Sequence, residues 1–164
     1  MRRTFYLILL MAFFTALPSM AQNQEEQFLP LLPYPMNATT GEGTFVFTSK
    51  TVIALEDEKV EPVAKEFAQL FMKAAGFMPK LKVKSKKGDI YIRIDEAVKE
   101  EGYLLDVKPD KITISVASEK GAFYALQTLR QLLPSAIEGE TRSEGVTWSI
   151  PVLSITDEPR FSYR

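Results

Sequence analysis

The segment Glu101–Pro134, EGYLLDVKPDKITISVASEKGAFYALQTLRQLLP, predicts two strands, a turn and a helix in succession. Apolar and polar residues alternate over 104–107 and again over 112–117, and this period of two is typical of strands with one buried face. The linking residues 108–111 (KPDK) favour a turn, because proline presets φ and aspartate can bond its own backbone. The first half of the segment therefore predicts a β-hairpin.

The second half of the segment predicts an amphipathic helix. Ser118 can accept a hydrogen bond from a free amide of the first turn, which is the role of an N-cap. The apolar residues after it fall on one stripe at helical spacing, and Pro134 ends the run. This stripe consists of Ala122, Phe123, Leu126, Leu129, Leu132 and Leu133. Its regularity favours a structural ββα unit over a catalytic role, and we expect the stripe to face the sheet.

Further strands and one more helix are predicted around this unit. A helix is expected to begin at 56–58, where acidic residues suit the positive end of its dipole, and to end at Gly76. Gly41 and Gly43 predict a turn ahead of the first strand. Alternating or β-branched runs predict strands at 44–48, 51–55, 80–84, 88–94 and 146–153. The expected fold class is α+β, with a mixed or antiparallel sheet covered on one face by two helices.

Lysines alternate along the predicted strand at 80–84 (KLKVK). A lysine stripe could bind anionic glycans, but lysine also protects the exposed edge of a sheet from pairing with another sheet. The pattern favours an edge strand.

The composition excludes several kinds of chemistry. The chain has 164 residues, no cysteine, no histidine and a formal net charge of −1. The absence of both residue types removes thiol catalysis, Ser-His-Asp triads and the usual zinc ligands. So mild an acidic balance argues against nucleic acid as a partner.

Residues 1–21 predict a secretory signal peptide. Arg2 and Arg3 form a basic start, 5–17 an apolar core, and Ser19-Met20-Ala21 a small-x-small cleavage site. The apolar run is too short for a transmembrane span. Residues 22–27 are polar and predict a disordered leader. The signal peptide predicts an exported protein, periplasmic or secreted. We expect a bacterial origin, because an exported domain without disulfides must rely on its core, which fits a bacterial exported protein better than a small disulfide-stapled one.

Several segments of the chain together resemble one enzyme family. EGY at 101–103, ITI at 112–114 and GAFYALQTLRQLLP at 121–134 are similar to the second half of the N-terminal domain of glycoside hydrolase family 20, the β-N-acetylhexosaminidases. The end of the chain, IP at 150–151 and DEPRFSYR at 157–164, resembles the run that leads into the catalytic barrel of that family. With LPYP at 32–35, the resemblance covers nearly all of the chain after the signal peptide.

The resemblance implies an activity for the intact parent protein. It would be an exo-β-N-acetylhexosaminidase that removes terminal β-linked GlcNAc or GalNAc with retention of configuration. In the family, the acetamido oxygen of the substrate attacks the anomeric carbon, one aspartate orients it, and a neighbouring glutamate protonates the leaving oxygen. That Asp-Glu pair lies in the (β/α)8 barrel, beyond the last residue here. No metal or organic cofactor is implied. The implied partners are glycans with terminal N-acetylhexosamine and the catalytic barrel of the same protein.

The resemblance implies one substrate-binding residue, Arg164. The family arginine that follows the Pro-Arg-Phe run holds hydroxyls of the terminal sugar, and Arg164 occupies the matching position. A guanidinium fork suits vicinal hydroxyls, and the site of a barrel lies at the C-terminal ends of its strands. Arg160, within the same run, is expected to be structural and to pair with an acidic neighbour such as Asp157.

No catalytic residue is predicted within the 164 residues. A glycosidase normally uses two carboxylates that flank the scissile bond. Adjacent acidic residues occur at Glu56-Asp57-Glu58, Asp95-Glu96, Glu100-Glu101 and Asp157-Glu158. Each group lies in a predicted turn or helix start, with no apolar pocket that would raise a pKa, so we expect solvated charges.

The expected domain boundaries follow. Residues 1–21 form the signal peptide, 22–27 the leader, 28–153 the non-catalytic N-terminal domain, and 154–164 the entry into the first barrel strand. Since the chain ends before the glycine that the family pattern has next, we expect a fragment of a longer enzyme.

Two alternatives stay open. The chain could be the leading domain of another acetamido-sugar glycosidase, of the O-GlcNAcase-like kind, in which the barrel pair is Asp-Asp. It could also be a stand-alone glycan-binding or scaffold module, which requires a natural stop near Arg164.

Overall fold

A seven-stranded mixed sheet with two helices on one face is formed by residues 29–159, the part of the chain that the computed structural model describes. In chain order the strands are β1 (Asn37–Val46), β2 (Val52–Leu55), β3 (Lys80–Val83), β4 (Ile90–Ile94), β5 (Tyr103–Val107), β6 (Ile112–Val116) and β7 (Ser149–Asp157). The helices are α1 (Glu61–Ala74) and α2 (Glu119–Leu132), and short 3-10 turns occur at Glu58–Val60 and Ser135–Glu138. The predicted fold class is confirmed.

The predicted hairpin lies at the centre of the sheet. The strand order is β1-β7-β5-β6-β4-β2-β3, so β5 and β6 are its third and fourth members. They pair antiparallel, and the Lys108 amide closes their turn by donating to the Lys111 carbonyl over 2.8 Å. β4 pairs parallel with both β6 and β2, and β2 pairs parallel with β3, which it reaches through α1. β3, with its alternating lysines, lies at one edge of the sheet, as expected.

The core lies between the sheet and the helices. Strand register aligns one residue of each inner strand into a row that runs across the sheet. In two such rows every side chain is only 0–2% exposed. One row consists of Ile53, Ile90, Ile112, Val107 and Leu153, and the next of Leu55, Ile92, Ile114, Leu105 and Ile155. Leu126 and Leu129 of α2 and Phe67 and Phe71 of α1 are buried with these rows in one cluster. The alternating residues on the other face are mostly polar, which leaves that face open to solvent.

Local sequence sets the ends of both helices. The Ser118 hydroxyl accepts a hydrogen bond from the Gly121 amide over 3.4 Å, as predicted for an N-cap. Gly76 follows the last turn of α1 with a φ of 73°, a left-handed conformation that glycine adopts without a steric penalty. α1 begins at Glu61, later than predicted, because Asp57 caps the 3-10 turn that precedes it.

The turn predicted at Gly41 and Gly43 is wrong. Both glycines lie inside β1, which begins at Asn37 and pairs with β7 on either side of them. The register shifts between Thr40 and Thr44, and Gly43 has a φ of 99°, so the glycines form a bulge within a continuous strand.

The sheet also extends beyond the predicted domain boundary at Leu153. β7 continues to Asp157, where it pairs with Tyr103, so residues 154–157 are part of this sheet. Among residues 29–159, neither helix is long and apolar enough to cross a membrane.

Phe123 departs from the predicted apolar stripe. Leu126 and Leu129 of that stripe are 2% and 0% exposed, whereas Phe123 is 39% exposed. Consecutive residues of a helix are about 100° apart, which places Phe123 about 120° around α2 from Leu129. The expectation that Phe123 faces the sheet is therefore wrong, and its ring lies on the outer side of α2.

Candidate functional site

The predicted substrate-binding residue, Arg164, lies outside the residues that the structure describes. Arg160 lies outside them as well. The four acidic groups singled out in the sequence are all described, and the partners of their carboxylates show which chemistry they can support.

Glu56 connects β2 to β4. Its Oε2 accepts a hydrogen bond from the Ile94 amide over 3.0 Å, and its Oε1 lies 3.0 Å from Nζ of Lys86. The bond to Lys86 and then the backbone bond lower the pKa of Glu56. The pKa of neighbouring Tyr91 is raised, mainly by burial and then by Glu56. Glu56 is thus held ionised, whereas a general acid must carry a proton at the working pH.

The next acidic residues serve turns and strand ends. Asp57 accepts a hydrogen bond over 2.8 Å from the amide two residues on, and Glu58 lies 2.8 Å from Nζ of Lys84. Asp95 binds the Arg93 guanidinium over 2.6 Å and accepts an amide hydrogen bond over 3.1 Å from two residues further along. These contacts fix the backbone where β2 and β4 end. None of the three carboxylates lies in an apolar pocket.

Lys120 is shared by the pair that precedes β5. Its Nζ lies 3.3 Å from Oε1 of Glu100 and 3.3 Å from Oε1 of Glu101, and both carboxylates raise the pKa of Lys120. The two glutamates lie in front of the first turn of α2, where negative charge suits the helix dipole.

The last acidic pair ties the end of β7 to its neighbours. Asp157 accepts a hydrogen bond from the Met36 amide over 3.2 Å, and Glu158 lies 2.7 Å from Nζ of Lys99. A further carboxylate, Glu138, pairs with Arg130, and this pairing lowers the pKa of Glu138. For Glu138 as for Glu56, the pKa moves away from the range in which a general acid works.

The described residues also lack a metal centre. No group of three or more aspartate, glutamate, histidine or cysteine residues within 29–159 could hold a metal ion. The acidic residues discussed above contact backbone amides, lysines or arginines, and such partners lower the pKa of Glu56 and Glu138.

One concave surface within residues 29–159 is a groove between the outer sides of α1 and α2, here called the helix groove. One end is an apolar hollow in which Val63 faces Phe123 and Tyr124. The hollow continues along Leu70 of α1 and Leu126 of α2. The far end is polar, because it is lined by charged side chains such as Lys73, Arg130 and Glu140. The sequence analysis missed this surface because it assigned Phe123 to the core.

Comparison with known sequences identifies the domain. Residues 29–158 match the family model described as glycosyl hydrolase family 20, domain 2. The chain is 34% identical over 138 residues to a beta-hexosaminidase of Porphyromonas gingivalis, a match that covers 82% of this chain and 18% of that protein. It is 30% identical over 142 residues to an N,N'-diacetylchitobiase of Vibrio harveyi, covering 82% of this chain and 14% of that protein.

Comparison with solved structures agrees with this family. The fold superimposes on N-acetyl-beta-hexosaminidase of Streptomyces plicatus with a TM-score of 0.73 and 29% identity, over 85% of this chain and 27% of that one. It superimposes on the chitobiase of Flavobacterium johnsoniae with a TM-score of 0.62 and 30% identity, over 87% of this chain and 22% of that one. The chain spans less than a fifth of the length of the two curated relatives. By its fold and by the family model that covers nearly all of its described residues, this chain belongs to glycosyl hydrolase family 20 and represents the domain 2 of that family.

Proposed function

We propose that the chain is the leading, non-catalytic domain of a longer exo-β-N-acetylhexosaminidase, called here the full-length parent. The observation that carries this proposal is the family 20 match over residues 29–158, together with curated relatives that are hexosaminidases and a chitobiase. The substrates would be glycans that end in β-linked N-acetylglucosamine or N-acetylgalactosamine. The acidic residues discussed above contact backbone amides, lysines or arginines, which supports a role for this domain outside the chemistry.

The reaction of the full-length parent would be substrate-assisted. The acetamido oxygen of the terminal sugar attacks the anomeric carbon, an aspartate orients the acetamido group, and the adjacent glutamate gives its proton to the leaving oxygen. Both acids belong to the barrel that would follow Arg164. Arg164 itself would hold hydroxyls of the terminal sugar through its guanidinium fork, so it is the one residue of this chain that we place at the substrate.

We further propose that the parent is exported, to the periplasm or out of the cell. The support is the pattern of residues 1–21, in which a basic start, an apolar core and a small-x-small site follow one another. Mass spectrometry of the N-terminus of the mature protein tests this. A first residue at Gln22 is expected, and a mature protein that retains residues 1–21 would contradict export through this signal.

The coding sequence downstream of Arg164 distinguishes the proposal from its alternatives. An adjacent Asp-Glu pair on a barrel strand supports the hexosaminidase, and an Asp-Asp pair supports the O-GlcNAcase-like enzyme. A natural stop codon at this point supports a stand-alone module. If the pair is found, conversion of its glutamate to glutamine in the full-length parent should abolish hydrolysis of an aryl β-N-acetylglucosaminide, whereas unchanged turnover would refute the proposed mechanism.

A further inference from the structure

We propose that the open face of the sheet binds an anionic glycan chain through four lysines near the β3 edge, here called the lysine patch. The patch consists of Lys80, Lys82, Lys87 and Lys111. It adds a second glycan-binding surface to the one that the proposed function places in the barrel. The choice of a glycan over other polyanions rests on the proposed function, whereas the binding of negative charge does not.

Strand alternation places two of these lysines on the open face. Leu81 and Val83 of β3 pack against the core. Because successive side chains of a strand point to opposite faces, Lys80 and Lys82 project from the side that the helices do not cover. Both lysines are exposed.

The loop between β3 and β4 brings a third lysine onto the same face. β3 and β4 pair with opposite sides of β2, so residues 84–89 must cross that strand. A Cβ added to Gly88 would lie only 2.8 Å from the Cβ of Ala54, which alternates with the core residues beside it in β2. The loop therefore crosses on the open face, and the exposed Lys87 lies above β2.

Lys111 extends the patch toward the middle of the sheet. Its Nζ lies 5.7 Å from the centroid of the Tyr91 ring. Tyr91 alternates with the core residues Ile90 and Ile92, so its ring is on the open face. An aromatic ring attracts a cation without neutralising it. Since Lys111 precedes β6, the fourth strand from this edge, the patch spans about 14 Å at about 4.8 Å per strand.

The charges of the patch are not matched by carboxylates. Residues 80–88 carry five lysines and no acidic residue. Lys84 pairs with Glu58 over 2.8 Å, and Lys86 pairs in the same way with Glu56 over 3.0 Å. In the part of the chain that the structure describes, none of the four lysines of the patch forms an ion pair. Four cations are therefore available to an external anion.

Protection of the sheet edge explains only part of the patch. Lysines on an edge strand keep another sheet from pairing with it, and this role accounts for Lys80 and Lys82. It does not account for Lys87, which lies above the second strand from the edge, or for Lys111, which lies farther in. Lysines that extend inward from the edge fit a ligand that lies across the strands.

The size of the patch favours a single glycan chain over a membrane or a nucleic acid duplex. The chain carries a formal net charge of −1, and carboxylates such as Asp95 and Asp106 lie beyond the patch. A broad anionic surface would also meet these carboxylates, whereas a narrow chain can follow the lysines alone. A charged stretch of glycan held here would raise the concentration of its ends near the proposed barrel.

The binding test uses the full-length parent and three dextrans of equal length: dextran sulfate, carboxymethyl dextran and neutral dextran. None contains N-acetylhexosamine, so none is a substrate of the proposed activity. Isothermal titration calorimetry should show binding of an anionic dextran that weakens as salt rises, and no binding of the neutral one. Equal binding of the neutral polymer, or no binding of either anionic polymer, would overturn the proposal.

Matched substitutions locate the site. Lys82→Gln removes an exposed charge from the patch, and Lys65→Gln removes one from α1. Lys82→Gln should weaken binding about threefold, because one exposed ion pair contributes a small factor, and Lys65→Gln should leave it unchanged. Glutamine at positions 80, 82 and 87 together should weaken it about ten- to thirtyfold, whereas arginine at all three should preserve it. Equal effects of Lys82→Gln and Lys65→Gln would contradict the proposed location.

A measurement on the wild-type parent does not depend on these variants. Acetylation of lysines, read by mass spectrometry, should be several-fold slower across the patch when dextran sulfate is bound, while Lys65 reacts at the same rate. Binding that protects no lysine of the patch would refute the site. Phosphatidylglycerol vesicles and a short DNA duplex are compared at the same concentration of negative charge. Stronger protection of the patch by either one would show that the partner is not a glycan.

Binding and catalysis are separate measurements. Protection of the patch by anionic dextran in a parent that hydrolyses no N-acetylhexosaminide would overturn the proposed activity and leave the anion-binding surface in place. Hydrolysis by a parent in which the patch stays reactive would overturn the lysine patch alone.

Discussion

Single residues decide several features of this domain, and Gly121 is one of them. In an open helix, alanine is more stable than glycine by about 0.8–1 kcal/mol. At Gly121, however, an added Cβ would lie 2.4 Å from the Gly102 carbonyl oxygen, a backbone atom that cannot move without displacing β5. We therefore expect Gly121→Ala to lower the free energy of unfolding by about 1–3 kcal/mol, the usual cost of overpacking. Urea denaturation, with Gln127→Ala as control, measures it; a Gly121→Ala protein at least as stable as wild type would contradict the contact.

Glu56 gives a second prediction at the scale of single residues, and it concerns the pH dependence of stability. Its pKa in the folded chain is lowered, mainly by Lys86, so the unfolded state binds the proton more tightly. The stability from this charge is present above the pKa of the unfolded state and is lost as the pH falls through the folded pKa. Glu56→Gln should therefore reduce the melting temperature by a few degrees at pH 7 and leave it nearly unchanged at pH 3. A difference of equal size at both pH values would show that the charge is irrelevant.

Arg164 is the residue of this chain that we place at the substrate. In the full-length parent, Arg164→Lys keeps the charge but loses the planar fork, so it is not a conservative change. Loss of one charge-assisted hydrogen bond costs about 1.5–3 kcal/mol, which corresponds to a fall of about ten- to a hundredfold in kcat/KM. The melting temperature should change little. If Arg164 merely pairs with a carboxylate of the barrel, the melting temperature falls while kcat/KM stays nearly intact.

At the scale of elements, α2 has one residue in the core and one on its outer side whose substitutions should have different effects on stability. Leu126 is 2% exposed in the cluster between α2 and the sheet, and Leu126→Ala should cost about 2–5 kcal/mol of the free energy of unfolding, as buried leucine truncations do. Phe123→Ala in the isolated chain of residues 22–164 should cost much less, because the ring is on the outer side. Thermal unfolding of both variants measures the two losses of stability. Similar losses for the two would mean that Phe123 belongs to the core after all.

The same elements show which parts of the fold a sequence can predict. β5, β6 and α2 were predictable because a period of two, a turn and a capped helical stripe are local patterns. The bulge at Gly41 and Gly43 was not, because it depends on pairing with β7, more than a hundred residues away in the sequence. The position of Phe123 depended on how α2 is rotated against the sheet. Arg164 came from family resemblance alone, since no local pattern distinguishes it from a structural arginine.

At the scale of the whole molecule, the two faces of the sheet are unlike. One is covered by helices whose outer groove is apolar at the end where β7 leaves the sheet, and the other is polar and open. Glu56 and Glu138 pair with Lys86 and Arg130, and these partners lower the pKa of the two glutamates. This division suits a domain that supports a catalytic neighbour without taking part in the chemistry.

The most direct test compares hydrolysis of an aryl β-N-acetylglucosaminide by the purified full-length parent and by the isolated chain of residues 22–164. We expect turnover by the parent alone, because the proposed mechanism places the acid and the residue that orients the acetamido group in the barrel that would follow Arg164. An inactive version of the parent, with the barrel glutamate changed to glutamine, controls for contaminating enzymes. Turnover by the isolated chain above that control, or none by the folded parent, would contradict the account.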